Sequence, residues 1–579
     1  QRLAMAGSVV TDLGAVCAKI EERVGKISAG VRCHKLPRTL TMDYTLTSKV
    51  LGEGYAGQVI LATCKNRPSE TVAVKSLKLA GLTPHRKERL FAEIEIFLCM
   101  DHPHVARLLD VYETNEEVSL VMECVSGGEL CQHIKRKKKF DETRAAHAMR
   151  QMLLAVHYIH NHGIVHRDLK LQNFLYDIDA GYHLKMIDFG FSKFFDREDR
   201  RARMKTCCGT TGYAAPEVLK KDYTHQCDMW SLGVIGFIIL CGQMPFAGNS
   251  KEQLKAIKHA RYDFKQQHWS SVSKLGVEFI KALLHKDPSK RLTSKAALEH
   301  KWIITNTSEA TKYRIDSSVV DSIMSWASAP KLQRACLSMV SWSFTNKQHA
   351  LVRDYFVALD KDHDGMIKLA QLKDAITENG VQPSNEKTKE VHEILDRISK
   401  TSMNYSEFLA AMTYRIINLD EATVHSAFQK FDTDSSGRMT THDFTRLLGD
   451  SFEGEDLGAL LGQAGVSGTD GKIGFPEFAK CTSQQLSRMS GHKTENDIPG
   501  SPCRSEAMER FSFSISPPEP RTALVQGSSS PDEVFCTVHD LDALAKEAAA
   551  KLEAMPAEPS LVEEEDNELR AQAPCCSLM

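Results

Sequence analysis

The sequence predicts a multidomain chain in which an α+β unit of two lobes is followed by an all-α domain and a low-complexity tail. Strand-like runs alternate with turn glycines from about Thr45 to Glu123, and Leu-rich helical texture follows to about Trp302. A repeat of about 36 residues runs between residues 350 and 480. After Thr482 the composition shifts to Ser, Pro, Gly, Glu and Ala, which is typical of a disordered tail.

These shifts in texture define five consecutive segments. They are an N-terminal extension without a clear motif, the α+β unit, a helical junction, the repeat domain and the tail: residues 1–43, 44–302, 303–345, 346–481 and 482–579.

The composition is that of a soluble globular protein, with 42% hydrophobic and 26% charged residues among 579. The net charge of −2 gives no overall field that would favour nucleic acid. The 16 cysteines form no C-x-x-C pair, which argues against structural zinc and favours reduced thiols. The longest strongly apolar run, near Val234–Leu240, is far shorter than the ~20 residues of a membrane-spanning helix. We therefore expect a cytoplasmic protein.

A glycine-rich segment within the first lobe has the pattern G-x-G-x-x-G-x-V. Gly52, Gly54 and Gly57 would let backbone N–H groups approach phosphate oxygens without obstruction by side chains. A dinucleotide-binding fold needs a helix directly after such glycines, whereas here a strand continues from Val59. The pattern therefore predicts a hairpin that covers a phosphate group.

A lysine follows on the next strand, at the end of Val72-Ala73-Val74-Lys75. A lysine at this place is exposed on one face of the strand unless it has an anionic partner. Glu93, in the helical run from Phe91 to Met100, is the candidate partner.

Further motifs occur in a fixed order along the second lobe. They are His166-Arg167-Asp168-Leu169-Lys170-Leu171-Gln172-Asn173, Asp188-Phe189-Gly190, Ala215-Pro216-Glu217, Asp228-Met229-Trp230-Ser231 and Arg291. With the glycine loop and the lysine strand, they make residues 45–302 resemble the eukaryotic protein kinase family. The resemblance implies an α+β bilobal protein kinase fold that uses ATP and Mg²⁺. Glu217 and Arg291 are expected to form a buried structural ion pair.

The resemblance also implies catalytic roles, in a reaction where positioning and electrostatics do most of the work. Lys75 would hold the α- and β-phosphates, with Glu93 fixing it. Asp168 would accept the proton of the substrate hydroxyl, and Lys170 would neutralise the γ-phosphate. Asn173 completes the predicted catalytic set.

The same resemblance assigns the metal and the nucleotide. Asp188 would bind Mg²⁺, and Asn173 would serve the second metal position. The other nucleotide-site residues would come from the glycine loop, the pocket walls and the hinge: Leu51, Gly52, Gly54, Gly57, Val59, Ala73, Met122, Glu123, Val125, Glu129 and Leu175.

An active serine/threonine kinase is favoured over two alternatives. A catalytically dead kinase usually lacks the lysine, the catalytic aspartate or the metal aspartate, and all three are present here. Lys170 and the pair Gly209-Thr210 resemble the serine/threonine type and disfavour a tyrosine kinase.

Activation and substrate choice rest on fewer residues. Thr206, three residues before Gly209, is either an activation phosphosite paired with Arg167 or an ordinary exposed threonine. Glu129 matches a position where many kinases hold a substrate arginine, but Gln172 replaces a glutamate usual in that group. We therefore expect protein substrates with a weakened preference for basic residues.

Four loops in the repeat domain fit a calcium-binding frame, at 360–371, 396–407, 432–443 and 466–477. Their apolar eighth positions are Ile367, Met403, Met439 and Ile473, which predicts two EF-hand pairs. The second and fourth loops lack most oxygen ligands. The third offers Asp432, Asp434, Ser436, Arg438 through its carbonyl, Thr440 and Asp443.

The first loop is the weaker calcium candidate. It carries Asp360, Asp362, Asp364 and the carbonyl of Met366, but it has Lys368 and Gln371 at positions nine and twelve. For both loops, an alternative is that the helices are kept only as a scaffold.

A kinase, a basic amphipathic helix and four EF-hands, in this order, resemble the calcium-dependent protein kinases of plants and alveolate protists over about residues 45–480. The resemblance implies an all-α calmodulin-like EF-hand domain. It also implies a helix at residues 317–342 that blocks the catalytic cleft at low calcium and is gripped by calcium-loaded EF-hands. Trp326, Met339 and Trp342 would be its anchors, or else members of a permanent interface.

The last four residues, Cys576-Ser577-Leu578-Met579, form a prenylation motif of the farnesyl type, and Cys575 could carry a second lipid. An unmodified tail is the equal alternative, and the acidic run 563–566 disfavours an anionic surface. Membrane association through this tail therefore stays an expectation beside the cytoplasmic one.

Two hypotheses of function remain at this stage. The first is a calcium-regulated serine/threonine protein kinase, and the second is a non-catalytic, calcium-responsive scaffold with a kinase-like fold.

Overall fold

The computed structural model describes residues 12–24, 32–54, 57–178, 182–195, 203–206, 208–307, 317–378, 402–432, 436–448, 451–452, 455–456 and 472–482. Asp434, the first parts of the second and fourth loops, and Cys575 and Cys576 lie outside these residues. No helix in the described ranges is both long and apolar enough to cross a membrane.

The first lobe is built on one sheet of six strands. Their order across the sheet is β1-β5-β6-β4-β3-β2, and β1 pairs with β5 in parallel. The strands are β1 Cys33–Lys35, β2 Tyr44–Gly54, β3 Gly57–Cys64, β4 Arg67–Lys78, β5 Leu108–Glu113 and β6 Glu117–Glu123. Since β1 belongs to the N-terminal extension, part of that extension is integral to the lobe.

Three helices accompany this sheet: α1 Leu13–Val24, α2 Leu40–Asp43 and α3 Pro84–Leu98. Pro84 suits the first turn of α3, where its missing N–H has no helical acceptor to lose, and the side chain of Thr83 accepts the backbone N–H of Arg86. α3 carries the predicted lysine partner Glu93 on one face and packs against α1.

The second lobe is helical, as the sequence predicts. Its helices are α4 Leu130–Lys137, α5 Glu142–Asn161, α6 Gln226–Cys241, α7 Ser250–His259, α8 Gln266–Trp269, α9 Lys274–Leu283, α10 Ser294–Leu298 and α11 Lys301–Thr307. Every residue of α6 is buried, so this helix forms the centre of the lobe. Short strands line the cleft: β7 Ile164–Val165, β8 Phe174–Tyr176, β9 Leu184–Met186 and β10 Lys193–Phe194.

The junction is two helices, so the expectation of one helix over 317–342 is wrong. α12 covers Ser317–Ala327 and α13 covers Lys331–Ser341. Pro330 stands between them, and a proline both lacks an N–H and disfavours helical geometry in the residue before it. Arg334, one of the basic residues of this segment, is buried and donates to the carbonyls of Ala327 and Ala329 at the end of α12.

The repeat domain contains the two predicted EF-hand pairs. Strands β11 Met366–Lys368 and β12 Ser402–Asn404 pair Ile367 with Met403. Strands β13 Arg438–Met439 and β16 Ile473–Gly474 pair Met439 with Ile473, which confirms the predicted eighth positions. The flanking helices are α14 Asn346–Ala350, α15 Arg353–Leu359, α16 Leu369–Glu378, α17 Tyr405–Met412, α18 Glu421–Phe431, α19 Thr441–Leu448 and α20 Phe475–Thr482, and a small hairpin joins β14 Ser451–Phe452 to β15 Glu455–Asp456.

Both junction helices pack against these EF-hand helices, α12 on α17 and α13 on α17, α18 and α20. Trp326 and Met339 are buried in this shared core, as expected of anchors. Trp342 belongs to the same core, and its ring also contacts the guanidinium groups of Arg32 and Arg107 of the first lobe, which lie 4.0 and 4.2 Å from the ring centroid.

The EF-hand domain contacts the kinase unit at several places outside the cleft. The amide of Asn346 donates to the carbonyl of Cys124, and Arg353 pairs with Asp177. Asp101 accepts the backbone N–H of Ser406 at 2.9 Å. In this state the junction therefore lies with the EF-hands against the hinge and first lobe, instead of filling the cleft as expected at low calcium.

Candidate active site

The glycine-rich segment forms the predicted hairpin. Gly52 stands opposite Val59, and Gly54 stands opposite Gly57, on strands β2 and β3. Gly57 has φ +137°, a conformation that a residue with a side chain rarely adopts. The open backbone at this tip suits an approach to phosphate oxygens.

The predicted lysine and glutamate meet within the first lobe, between strand β4 and helix α3. Lys75 Nζ lies 3.3 Å from Glu93 Oε1, which confirms the predicted partner. Burial alone would lower the pKa of the Lys75 ammonium, but the carboxylates of Glu93 and Asp188 outweigh burial and raise that pKa. The lysine therefore stays charged, paired with Glu93 and near the carboxylate of Asp188.

Asp168 is fixed by a dense set of hydrogen bonds although its side chain is almost fully buried. Lys170 Nζ donates to Oδ2 at 2.8 Å, and the N–H and hydroxyl of Thr210 donate to Oδ1 at 2.7 and 2.8 Å. Gly209 permits this approach, since a Cβ at its position would lie 2.4 Å from the carbonyl oxygen of Arg167. A carboxylate held in this way is a positioned proton acceptor.

Asp228, to which the sequence motifs assigned no role, holds the backbone of the catalytic loop. It is fully buried and accepts the N–H groups of His166 and Arg167 at 2.9 and 2.8 Å, and it also contacts His160 at 2.9 Å. The hydrogen bond from His160 opposes burial and lowers the pKa of Asp228. The position of Asp228 in the Asp-Met-Trp-Ser motif was the sequence signal that could have predicted this role.

The metal candidates supply oxygen atoms, which are the ligands Mg²⁺ prefers. Asp188 presents an exposed carboxylate in a left-handed backbone conformation, φ +66°. Asn173 donates its amide N–H to the carbonyl of Asp168 at 2.8 Å, which fixes the side chain and leaves its amide oxygen. The residues present therefore fit a magnesium ion, which Asp188 and Asn173 would hold.

Phe189, next to Asp188, is fully buried beside Phe97 of α3 and His166, with ring centroids 5.1 and 5.5 Å apart. Because the phenylalanine occupies the core, the neighbouring aspartate is left facing the cleft.

The adenine walls and hinge lie on the strands predicted to carry them. Ala73 on β4 stands opposite Leu61 of β3 and Met122 of β6. The side chain of Glu123 pairs with Lys185. The N–H of Glu123 and the carbonyl of Cys124 are already bonded within the protein, so a base would meet the remaining backbone groups of residues 123–125. Leu51 and Val59 lie on the glycine hairpin, and Leu175 lies on β8. Glu129 directly precedes α4 and accepts a hydrogen bond from the Cys131 thiol at 2.8 Å.

Two further predictions concern arginines of the second lobe. Arg291 donates to both carboxylate oxygens of Glu217, at 2.6 and 3.1 Å, and both side chains are buried, which confirms the structural pair. Arg167 donates to the hydroxyl of Thr206 at 3.1 Å, and Thr206 is exposed. A phosphate on Thr206 would therefore lie within reach of the Arg167 guanidinium, which could pair with it.

The third EF loop converges its described carboxylates on its own backbone. Asp432 accepts the N–H groups of Ser436 and Gly437 at 3.0 and 2.6 Å, and Asp443 accepts both the N–H and the hydroxyl of Thr440, at 2.8 and 2.7 Å. Gly437 has φ +78° at the turn. This is the frame that a calcium loop requires.

The first loop carries an internal cation instead. Asp360 accepts the N–H groups of Asp364 and Gly365, but Lys368 Nζ contacts Asp362 and lies 3.0 Å from Asp364. Within the described ranges, no cluster of three or more His, Cys, Asp or Glu side chains is arranged to hold a metal. The loop is also pressed on the kinase, since a Cβ at Gly365 would lie 2.4 Å from the Tyr158 ring.

The bilobal fold and this cleft define a protein kinase, and comparison with known proteins agrees. The family model described as "Protein kinase domain" matches residues 45–303. The chain is 33% identical over 458 residues to calcium-dependent protein kinase 3 of Plasmodium berghei, covering 76% of this chain and 79% of that protein. It is 32% identical over 446 residues to calcium-dependent protein kinase 17 of Arabidopsis thaliana, covering 75% and 82%.

The chain therefore belongs to the calcium-dependent protein kinase family, and it is a serine/threonine protein kinase. A kinase domain implies ATP and Mg²⁺ as its nucleotide and metal, and proteins as its substrates.

Proposed function

We propose that this kinase transfers the γ-phosphate of ATP to serine or threonine hydroxyls of proteins and that calcium controls the transfer through the EF-hand domain. The observation that carries the proposal is the assembled cleft, in which Lys75 meets Glu93 while Asp168 is held by Lys170 and Thr210.

The residues of the cleft take distinct parts in this reaction. Lys75 holds the α- and β-phosphates, Asp168 orients the acceptor hydroxyl and takes its proton, and Lys170 balances charge on the γ-phosphate. Asp188 and Asn173 would hold Mg²⁺, which neutralises the negative charge of the phosphate oxygens when it is bound. The hydrogen bonds around Asp168 support its role, because they leave the carboxylate little freedom to turn away.

Calcium control is supported by the position of the third EF loop. Helix α18 ends one residue before Asp432 and packs against strand β4, which carries Lys75. Lys430, two residues before the loop, reaches the fully buried Asp110 of the kinase sheet at 2.8 Å. Calcium binding that shifts this loop would therefore also shift α18 and Lys430, which contact the sheet of the lobe that holds the nucleotide.

Thr206 and Glu129 carry two further parts of the proposal. A phosphate on Thr206 would pair with Arg167 and order the activation segment, and the half-buried Glu129 would hold a basic residue of the substrate. Mass spectrometry of the active protein, and a peptide series with arginine moved along the sequence, test these two parts separately.

The test is transfer of labelled phosphate from ATP·Mg²⁺ to a basic peptide with one serine, with calcium or with a calcium chelator. Asp188→Asn is the inactive control. We expect transfer by the wild type that falls at least about tenfold on chelation. A wild type no more active than Asp188→Asn would contradict the enzyme and favour the scaffold hypothesis. Equal transfer with and without calcium would contradict calcium control alone.

A further inference from the structure

The N-terminal helix α1 lies along the outer face of α3, the helix that carries Glu93. Leu13, Val16 and Ile20 follow each other at intervals of three and four residues and are fully buried, so they form one apolar stripe. The described part of the extension is thus docked on the kinase core.

A buried carboxylate marks the contact between the two helices. Glu95 of α3 is only 5% exposed. Arg23 Nε lies 3.3 Å from one of its oxygens, and Lys19 Nζ lies 3.9 Å from the other. Glu95 is two residues after Glu93, so at 3.6 residues per turn the two side chains point to nearly opposite sides of α3. One side therefore pairs with Lys75, and the other pairs with α1.

Arg23 also contacts the segment that follows Asp188. Its guanidinium carbon lies 4.0 Å from the centroid of the Phe194 ring, on strand β10. That strand pairs Phe194 with Ile164, two residues before His166. A single side chain therefore bridges the helix of Glu93 and the strand downstream of the metal aspartate.

A second contact joins the extension to the end of α3. Strand β1 pairs with β5, and the fully buried Arg32 donates to the carbonyls of Leu98, at the end of α3, and Leu108. The extension is therefore docked on the first lobe at two places, through α1 on α3 and through Arg32 and β1.

We propose that Arg23 is a positioning residue for phosphoryl transfer, which holds α3 and β10 so that the Lys75–Glu93 pair and Asp188 are in place together. Both must be in place for a kinase to be active. The proposal deepens the proposed function and rests on it. Arg23 keeps 47% of its side chain exposed, so its contribution is tuning rather than an absolute requirement.

The test compares Arg23→Gln, Arg23→Lys and the control Arg86→Gln, an exposed arginine on α3, all in the full chain. We expect Arg23→Gln to lower kcat/KM for ATP by about three- to tenfold, including a raised KM for ATP, because the grip of Lys75 on the phosphates loosens. Arg23→Lys should recover part of the loss, and Arg86→Gln should behave as wild type. Glu95→Gln should lower activity similarly, and the double variant should lose less than the sum of the two.

The possible outcomes separate positioning from simple stability. Unchanged kinetics of Arg23→Gln in an active protein would overturn this proposal alone. A lower kcat with an unchanged KM for ATP, a lower melting temperature and no recovery by lysine would also overturn it, since fewer folded molecules would then explain the loss. A wild type without transfer activity would overturn the proposed function and this proposal with it.

Discussion

At the scale of single residues, the proposed phosphoryl transfer would depend on Lys75 and Asp168, each of which is held by its partners. We predict that Lys75→Met and Asp168→Asn each lower kcat/KM by more than about 100-fold, because one removes phosphate positioning and the other the proton acceptor. Lys78→Met, at an exposed site on the same strand as Lys75, is the matched control. Circular dichroism should show an intact fold. Turnover within about tenfold of wild type for either variant would contradict the assigned role.

A second prediction concerns histidines that are buried in their neutral form. Burial lowers the pKa of His104 to about 3, and burial also lowers the pKa of His183, stacked on it with ring centroids 4.4 Å apart. A folded-state pKa below the unfolded value of about 6.5 means that the fold favours the neutral form. The stability contribution is therefore complete above about pH 6.5 and is lost as the pH falls toward the folded value.

We expect the free energy of unfolding to fall by up to about 1.4 kcal/mol per pH unit for each such histidine below pH 6.5. Melting curves at pH 7.5, 6.5 and 5.5 measure this dependence for the wild type and for His104→Gln. The variant should lose less stability on acidification. Parallel pH dependence of the two proteins would count against the buried neutral histidine.

The sequence predicts best the positions and roles of residues that belong to short catalytic motifs. Lys75, Asp168 and Asp188 sit in short motifs, so a role could be assigned to each in advance, and for Lys75 the partner Glu93 as well. The hydrogen bonds of Asp168 to Lys170 and Thr210 were not predicted. Arg23, Arg32 and Asp110 could not, because each acts through a residue distant in sequence and no local pattern marks such a contact.

At the scale of elements, helix α18 joins the third EF loop to the kinase sheet. Asp110 is fully buried and accepts from the hydroxyl of Tyr44 at 2.6 Å and from Lys430 at 2.8 Å, and it contacts His34 at 2.8 Å. Burial would raise the pKa of Asp110, but Lys430 and His34 outweigh it and lower that pKa, so the aspartate stays charged.

We predict that Lys430→Met weakens the calcium response, since methionine keeps the bulk of the side chain and removes the charge that meets Asp110. The maximal stimulation by calcium should fall about three- to tenfold, while activity in chelator changes little. Lys347→Met, at an exposed site on α14, is the control. A response equal to that of the control would show that this pair does not carry the signal.

For the junction, the sequence predicted helical structure but not the break that divides it into two helices. Its apolar periodicity continues through Pro330, so the pattern indicated one helix, although the proline itself was the available signal for a break. The burial of Arg334 follows from that break, because the carbonyls at the end of α12 need donors.

At the scale of the whole molecule, the order of kinase unit, junction and EF-hands was predictable, because each part has its own periodicity. The docking of these parts was not. The Arg32–Trp342–Arg107 stack and the Asn346–Cys124 hydrogen bond join residues more than two hundred positions apart, and their geometry exists only in the folded chain.

The measurement that tests the account most directly is a calcium titration of kinase activity for the wild type, Asp432→Ala and Asp360→Ala. Each carboxylate lost removes a negative charge from its site, and affinity for calcium follows the number of such charges. Because Lys368 already pairs with two of the three aspartates of the first loop, we expect Asp432→Ala to abolish most of the calcium activation and Asp360→Ala to shift it only slightly. Loss of activation in Asp360→Ala with Asp432→Ala intact would contradict the ranking of the loops, and activity independent of calcium in all three proteins would contradict calcium control itself.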